Sequence, residues 1–428
     1  MKRDELVGSL RQPYSRKRGF GTEKVDKAGF EHMWFVVPPK PPQEISETLS
    51  LPLIRDANLA LQARPSLQSA SEIERTMAYL LVQREAVSSS RMEGTWSTVD
   101  EVLSPVNDDT GRSASASVRG YASAVVHAIQ VVQTKGIAAL KPKLLCTLHE
   151  KVMQKDPGFH GVPGRLRNPG LPGDVVQIGS IGRKEDSLYN PTPPAHVASC
   201  LDDVLAWMSD ESLLQLGDAG MGLSLPIRMA IGHSHFEAVH PFSDGNGRVG
   251  RMLWALQMVA AGRLPLYLSS YIEAERAEYG EALQESQKQL SYRRVIDLVC
   301  RAIIARTEEE AVTREMLEGL PQLWQERGRF RRGSSASRAL EILLRMPVLT
   351  AGLLANELGV SLPAANEGIK RLEQAGVVRD RSGRGRRRIY AAEEVINLLS
   401  RPFGADIDVA LEGARRAMTD AENAPKGR

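Results

Sequence analysis

Apolar residues recur every three or four positions along most of this chain, which is the period of one face of an α-helix. The clearest run opens at Ser71 or Glu72 and should end near Gly94, because glycine readily adopts the left-handed conformation that closes a helix. Its apolar face is formed by Ile73, Met77, Leu80 and Leu81. Similar patterns predict further helices at about 117–156, 197–209, 225–239, 247–261 and onward to about 318. The pattern therefore predicts a mainly α fold.

Two segments interrupt the helical pattern. Residues 1–45 alternate charged residues with glycine and predict an irregular arm, which the apolar stretch Met33–Val37 would anchor. The segment Gly164–Pro194 is rich in glycine and proline, and its β-prone run Val175–Ile178 predicts a short β-hairpin.

The C-terminal part of the chain reads as a separate module. Gln325–Ser337, rich in Arg, Gly and Ser, predicts a linker, and a polar tail with a helix at about 405–420 follows Pro402. A length of 428 residues also indicates two or three domains. The predicted division is an N-terminal arm with a helical region, a helical core, a C-terminal module and a tail, at residues 1–115, 116–318, 319–401 and 402–428.

Composition excludes several classes of protein. Hydrophobic residues make up 42% of the chain and charged residues 25%, as in water-soluble globular proteins. The three cysteines lie far apart without a Cys-x-x-Cys pair, which excludes a disulfide scaffold or a cysteine zinc site and fits a reducing compartment. The chain begins without an apolar signal segment and has no uncharged apolar run of about 18 residues. These features predict a cytoplasmic protein with no membrane partner.

Positive charge is concentrated near the C-terminus, although the net charge of the whole chain is only +3. Residues 325–401 hold fifteen Lys and Arg against eight Asp and Glu, a local net charge of +7. Within them, Thr350–Leu358 and Leu362–Gln374 predict two helices joined by a glycine-containing turn, and Arg379–Arg388 predicts a basic hairpin. This order of elements is typical of a winged helix-turn-helix, whose second helix enters the major groove of DNA.

The winged-helix prediction assigns contacts with DNA to the second helix and to the hairpin. The predicted contact residues are Asn366, Lys370, Arg371, Arg384, Arg386, Arg387 and Arg388. Winged helices also dock proteins, so a target protein or a second copy of the chain in a homodimer is the alternative partner of this module.

The stretch His240–Arg251, with the sequence HPFSDGNGRVGR, joins two predicted helices through a glycine-rich turn. Gly245–Gly247 falls at the N-terminus of the second helix, where unpaired amides and the helix dipole favour an anion. Arg248 and Arg251 are three residues apart, so both guanidinium groups leave the same side of the first turn and can hold phosphates.

Two neighbouring side chains offer reaction chemistry. Asp244 supplies carboxylate oxygens that can hold Mg²⁺ against the phosphates. His240 is a natural base for a hydroxyl nucleophile near neutral pH, while Phe242 is predicted to anchor the loop in the core. Asp-Gly-Asn-Gly alone is only a turn sequence, so the hypothesis depends on the whole stretch.

The whole stretch resembles the signature of the Fic family, His-Pro-Phe-x-Asp/Glu-Gly-Asn-Gly-Arg-x-x-Arg, at every fixed position. The resemblance implies a helical core with a small β-hairpin flap, and transfer of AMP from ATP to a Tyr, Ser or Thr hydroxyl of a target protein or of the chain itself. It implies that His240 is the general base and that Asp244 binds Mg²⁺. The phosphates would be held by Gly245, Asn246 and Gly247 as an anion hole, with Arg248 and Arg251 on the outer phosphates.

A second stretch resembles the flap of the same family. Gly164–Arg167 followed by Val176–Gly179 looks like the hairpin that pairs with an extended segment of the target. The resemblance implies target docking by Val176, Gln177 and Ile178.

A third stretch, Ser89–Gly94, resembles the inhibitory motif Ser/Thr-x-x-x-Glu-Gly/Asn of this family. By itself it is a polar helix end with a glycine cap. The resemblance implies that Ser89 and Glu93 belong to an inhibitory helix, and that Glu93 pairs with Arg251 at the site that the γ-phosphate of ATP needs.

Several alternatives stay open. Glu93 can instead help a water molecule to remove AMP from a modified target. The core can transfer another group, such as UMP or phosphocholine, because Tyr279 is followed by Gly280 where the family often has a second tyrosine. The chain can also be a DNA-binding regulator in which the Fic core serves as a nucleotide sensor.

Overall fold

The computed structural model describes residues 1–104, 111–171, 173–179, 183–210, 224–381 and 388–423. Helices dominate these residues, which confirms the predicted mainly α fold class. In chain order the helices are α1 (Gly8–Arg11), α2 (Leu51–Gln62), α3 (Glu72–Met92), α4 (Val99–Leu103), α5 (Ala114–Lys135), α6 (Pro142–Met153), α7 (Val197–Met208), α8 (Leu225–Val239), α9 (Asn246–Ala260), α10 (Ser269–Ala274), α11 (Arg276–Gln289), α12 (Arg293–Gly328), α13 (Ser335–Arg345), α14 (Ala351–Leu358), α15 (Leu362–Gln374), α16 (Glu393–Ser400) and α17 (Ile407–Asn423). The strands are β1 (Gly21–Glu23), β2 (Phe35–Val37), β3 (Val348–Leu349), β4 (Arg379–Asp380) and β5 (Tyr390–Ala391). Among the helices described, none has an apolar stretch that could span a bilayer.

Helices α8 and α9 form the centre of the helical core. Every residue of α8 from Pro226 to Val239 is buried, and α9 is buried over nearly all of its length. A helix that is buried around its whole circumference must be packed on all sides. Helices α5, α7 and α12 supply that packing. The short connection between α8 and α9, residues 240–245, is therefore held by two fixed helices.

Helix α3 is the long N-terminal helix that the sequence predicts. Ser71 caps its N-terminus by accepting a hydrogen bond from the amide of Glu74, and the Glu74 carboxylate bonds back to the amide of Ser71. At the other end, Gly94 adopts a φ of +80°, the left-handed conformation expected of a helix-closing glycine. All residues from Leu80 to Ser90 are buried, including the polar ones, because α5, α9 and α10 pack on α3 from the core and α13 and α16 from the C-terminal part.

The N-terminal arm and the flap region lie against each other. Strands β1 and β2 form an antiparallel ribbon, so the predicted anchor around Phe35 is a short buried strand within the arm. The amide of Val36 donates to the carbonyl of Asn190, which ties the ribbon to the flap region. In that region the predicted hairpin appears as a single antiparallel bridge, in which the amide of Ile178 donates to the carbonyl of Tyr189 at 2.9 Å.

The described residues of the C-terminal part form helices α13 to α17 and a small sheet of β3, β4 and β5. Helices α14 and α15 are joined by a turn in which Gly359 has a φ of +64°, and Ser361 caps the second helix. Strand β5 lies between β3 and β4, antiparallel to both. The helix, turn and helix thus fall where the pattern predicts them, and the middle of the predicted basic hairpin lies outside the described residues.

The linker predicted at Gln325–Ser337 is wrong at both ends. Helix α12 continues through Pro321 to Gly328, and α13 begins at Ser335. The helix persists because its last turns are buried against the C-terminal part: Trp324 is fully buried and donates its indole N–H to Glu394 of α16. The predicted boundary between residues 318 and 319 therefore falls inside one continuous helix.

Candidate active site

The loop between α8 and α9 is shaped by two backbone positions and one side chain. His240 closes α8 in the left-handed conformation, with a φ of +51°, and Gly245 precedes α9 with a φ of +75°. The Asn246 amide side chain spans the turn, because it accepts from the amide of Phe242 at 2.8 Å and donates to its carbonyl at 2.9 Å. Phe242 is fully buried, as predicted for the residue that anchors the loop.

His149, which no motif of the sequence marks, connects this loop to the flap region through hydrogen bonds. Its Nε2–H donates to the carbonyl of Asp244 at 3.0 Å, and its Nδ1 accepts from the amide of Gly164 at 2.8 Å. Its ring is stacked on Phe242 with 4.0 Å between the centroids. Burial lowers the pKa of His149 to about 4, so the neutral ring that both bonds require is present at neutral pH. The only signal in the sequence is a polar residue on the apolar face of α6.

Arg167 is a second residue that connects the flap region to the loop through hydrogen bonds. Its Nε donates to the carbonyl of His240 at 2.8 Å, and its own amide donates to the carbonyl of Pro241 at 2.9 Å. Its Nη2 reaches the carbonyls of Thr192 and Val239, both at 2.9 Å. The guanidinium is buried, and its bonds fix the backbone at the point where α8 gives way to the loop.

The N-terminus of α9 presents backbone amides at the end of the loop. The first amides of any helix have no acceptor within the helix, and here these amides belong to Asn246, Gly247 and Arg248. Glycine is required for space: a Cβ on Gly247 would lie 2.2 Å from Glu93 Oε1, and one on Gly245 would lie 2.6 Å from Met153 Sδ. The first of these distances also shows that the Glu93 carboxylate lies against the first turn of α9.

Arg251 is bound by α3. Its Nη2 donates to Glu93 Oε1 and to the carbonyl of Ser89, both at 2.8 Å, and its Nε donates to Ser89 Oγ at 2.8 Å. The Arg251 side chain is 1% exposed and that of Glu93 30%. Burial alone would lower the pKa of Arg251, but the Glu93 carboxylate, together with Tyr279 and Tyr121, outweighs burial and holds that pKa above its ordinary value. The structure therefore brings together Ser89, Glu93 and Arg251, as the resemblance implies.

The side chain of Arg248 contacts different residues from those that the side chain of Arg251 contacts. Its Nη1 forms an ion pair with Asp156 and lies 3.5 Å from Ser117 Oγ, with both charged side chains buried. The two arginines meet different neighbours because α9 is packed between α3 and the α5–α6 pair. Asp156, which follows α6 in the chain, was missed because nothing in its local sequence marks it.

Asp244 is exposed at the edge of the loop. Its Oδ1 accepts from the amide of Gly245 at 2.6 Å, which orients the carboxylate and leaves the second oxygen available. Among the residues described, no group of three or more His, Cys, Asp or Glu could form a complete metal site. A single carboxylate fits Mg²⁺ nevertheless, because Mg²⁺ commonly takes one or two carboxylates and completes its shell with phosphate oxygens and water.

The flap region lies beside this loop. A Cβ on Gly173 would lie 3.3 Å from that of Ser243, so the flap region touches the loop directly. Val176, Gln177 and Ile178 are half-buried, and Gln177 Nε2 donates to Asn190 Oδ1 at 2.8 Å. The Gln177 side chain thus stabilises the flap region itself.

Four of the seven predicted DNA-contact residues lie in the described part of the chain. Asn366, Lys370 and Arg371 are exposed on α15, where Arg371 pairs with Glu367 at 3.1 Å. Arg388 is exposed and lies 3.7 Å from Asp380. The other three predicted contacts fall outside the described part of the chain: Arg384, Arg386 and Arg387.

Comparison with known proteins connects two regions of the chain to one family. The Fic/DOC family model matches residues 139–258, and the Fic/DOC family N-terminal model matches residues 51–130. Protein adenylyltransferase fic-1 of Caenorhabditis elegans is 40% identical over 113 residues, which is 26% of this chain and 20% of that protein. A probable protein adenylyltransferase of Aquifex aeolicus is 30% identical over 100 residues, which is 23% of this chain and 27% of that protein. The chain thus spans only a fifth to about a quarter of these relatives.

Two solved structures are similar over a larger part of the chain. A Fic family protein from Desulfovibrio desulfuricans has a TM-score of 0.48 at 17% identity, over 82% of this chain and 98% of that one. Residues 134–508 of Fic-1 from C. elegans have a TM-score of 0.45 at 21% identity, over 62% of this chain and 72% of that one.

Proposed function

Because this chain carries a Fic/DOC domain with the N-terminal region of that family before it, we propose that it transfers AMP from ATP to a hydroxyl side chain of a protein. The observation that carries the proposal is the N-terminus of α9, with Arg251 in its second turn and His240 at the start of the loop that leads into it. Such a helix end binds phosphate oxygens through its amides and its dipole.

The reaction is an in-line displacement at the α-phosphorus. The hydroxyl of the target loses its proton to the imidazole of His240, and its oxygen forms a bond to the α-phosphorus. The bond from that phosphorus to the bridging oxygen breaks, and pyrophosphate leaves with the electron pair. A positioned base contributes about 10²–10⁴-fold to such a step, and the helix amides stabilise the charge that develops on the phosphate oxygens.

Asp244 is the residue that would hold Mg²⁺. The ion would neutralise part of the negative charge of the triphosphate when bound. The amide of Gly245 already orients the carboxylate, so that one oxygen is left for the metal. Arg251 would meet the outer phosphates once released from Glu93, whereas Arg248 would act by fastening α9 to Asp156.

We also propose that the conformation described above, in which Glu93 contacts Arg251, is the inactive form of the enzyme. Glu93 lies against the first turn of α9 and occupies Arg251, so a triphosphate must displace a carboxylate before it can bind productively. The like charges of the carboxylate and a phosphate repel, by about 4 kcal/mol at 4 Å in a partly solvated site. The same carboxylate is also available to activate water, and removal of AMP from a modified target is the alternative role.

Transfer of label from α-labelled ATP with Mg²⁺ tests the proposal. The samples are wild type, Glu93→Gly and Glu93→Gly/His240→Ala, each assayed for labelling of itself and of a pool of proteins. We expect weak labelling in wild type, strong labelling in Glu93→Gly and none in the double variant. Equal labelling by Glu93→Gly and the double variant would contradict His240 as base. Competition with other unlabelled donors decides whether AMP is the transferred group.

A second proposal concerns residues 335–401, which we interpret as a winged helix that binds duplex DNA. Three observations support it: α15 follows α14 through a tight turn, a three-stranded sheet lies next to the pair, and Asn366, Lys370 and Arg371 are exposed on α15. Binding of labelled random duplex DNA should weaken with salt and should fall in Lys370→Ala/Arg371→Ala. Binding that is insensitive to both would contradict the DNA proposal and favour a protein partner.

A further inference from the structure

Glu237 is a buried carboxylate that no motif of the sequence marks. It lies on α8 one turn before His240, and its Oε2 is 3.5 Å from His240 Nδ1. The side chain of Glu237 is 7% exposed and that of His240 19%. Among the described residues, His240 Nδ1 and Glu237 Oε1 are both buried polar atoms without a hydrogen-bond partner. The Glu237 carboxylate therefore lies beside a buried ring nitrogen of His240 that has no hydrogen-bond partner among the described residues.

The surroundings of Glu237 keep its carboxylate in this position. Gly250 of α9 lies on its other side, where a Cβ would be only 2.5 Å from Oε1, so the absence of a side chain at this glycine makes the room. The other titratable or charged groups near it are His233 on the same helix, Arg251 on α9 and Tyr279 on α11. His233 is already engaged, because its Nε2 lies 2.8 Å from the hydroxyl of Tyr279.

The surroundings of Glu237 favour its ionised form. Burial raises the pKa of this carboxyl, but the imidazole of His240 and the charge of Arg251 act against burial, and the pKa is held below its ordinary value. A buried carboxylate with few hydrogen bonds raises the free energy of the folded protein, because its charge is poorly solvated. A positively charged neighbour reduces this free-energy cost. A protonated His240 would be such a neighbour.

We propose that Glu237 is the positioning residue for the general base His240. Its carboxylate accepts Nδ1–H, which leaves the lone pair of the imidazole on Nε2, the nitrogen that can meet the hydroxyl of the target. When Nε2 takes the proton of the hydroxyl, both ring nitrogens carry protons and the adjacent carboxylate stabilises the positive ring. A carboxylate that orients a histidine base in this way is a recurring arrangement in enzymes, and such contacts are often long before substrate binds.

The inference rests on the proposed function for its kinetic part, but the contact can be tested without turnover. The ring C–H signals of His240, assigned by comparison with His240→Ala, are titrated by NMR in the full-length protein in the Glu93→Gly background. In Glu237→Gln we expect these ring signals to respond at lower pH than in the parent, because the adjacent negative charge is lost. Glu237→Asp, which keeps the charge, should titrate within a few tenths of a pH unit of the parent. Glu281→Gln on α11 is the matched control and should titrate like the parent.

Kinetics supply the second measurement. In Glu237→Gln we expect kcat to fall by about 100-fold with an unchanged KM for ATP, and the acidic limb of the pH–rate profile to move to lower pH. The inference would be overturned if Glu237→Gln and the parent gave the same His240 titration curve and the same pH–rate profile. If Glu237→Gln does not fold, a His240 titration curve in Glu237→Asp that differs from that of the parent by a pH unit or more overturns it as well.

The two measurements separate the failure of this inference from the failure of the proposed function. A shifted His240 titration in a protein that transfers no AMP supports the contact and contradicts the activity. An unshifted titration in a protein that transfers AMP contradicts the contact and supports the activity.

Discussion

Replacing Glu93 should convert this protein from a poor ATP binder into a good one. In Glu93→Gly the carboxylate that lies against the first turn of α9 is removed, and Arg251 keeps its two bonds to Ser89. Glycine is well tolerated at this position, because Glu93 is the C-cap of α3 and not an interior residue. The change therefore alters the binding site with little effect on the fold.

The size of the effect follows from the contacts of Glu93. A triphosphate that binds wild type must break a charge-assisted hydrogen bond at 2.8 Å, which contributes about 1.5–3 kcal/mol. Glu93 is 30% exposed, so solvent screens the pair and the lower half of that range applies. Since about 1.4 kcal/mol is a factor of ten in Kd, we expect ATP to bind about 10–40-fold more tightly in Glu93→Gly.

Isothermal titration calorimetry with ATP and Mg²⁺ measures this change. His240→Ala serves as the common background, so that no turnover consumes the ligand. Glu93→Gln, which keeps the size of the side chain and loses its charge, should lie between wild type and Glu93→Gly. Glu308→Gln, an exposed position on α12, is the matched control and should bind like wild type. A Kd for Glu93→Gly within threefold of wild type would refute the reasoning.

Two further predictions concern stability. Asp156→Asn should destabilise the fold by about 3–5 kcal/mol, because it leaves the buried guanidinium of Arg248 without its ion pair. The Tm of this variant should fall by several degrees, whereas the Tm of the exposed control Asp408→Asn should not change. Equal Tm values for Asp156→Asn and wild type would show that the ion pair is not stabilising. Stability should also fall as pH drops from about 6.5 towards 4, since burial lowers the pKa of His233 to about 4 and that of His235 to about 3, and only the unfolded chain then takes up protons. The expected slope is about 1.4 kcal/mol per pH unit for each histidine, and a urea midpoint at pH 5 that equals or exceeds the one at pH 7.5 would contradict it.

Local signals made the elements of this fold predictable. Ser71 with Glu74 and Gly94 mark the two ends of α3, and each acts through neighbours within a few residues. The same holds for the turn between α14 and α15, where Gly359 and Ser361 supply the left-handed residue and the cap. Such signals depend on the sequence itself and not on what the element packs against.

The features that sequence reasoning missed depend on distant partners. Asp156 meets Arg248 across 92 positions of the chain, and His149 meets Asp244 across 95. Glu237 is near His240 in sequence, but only the packing of α9 on α8 shows that its carboxylate is buried. The linker prediction failed for a related reason: the arginine and glycine content suggested a loop, while burial of Trp324 keeps α12 helical.

The contact between α3 and the end of α16 has a consequence for how this chain can be divided. Glu309 of α12 lies 2.9 Å from Arg84 Nη2 of α3 and 3.3 Å from Arg401 Nη2, and Arg84 also donates to the carbonyl of Arg401. All three side chains are largely shielded from water, so a protein truncated after α12 would expose Arg84 and Glu309 and lose one of the cations that share the carboxylate. The helical core and the C-terminal part therefore share a buried group of charges, and we expect truncation after α12 to destabilise the core that remains.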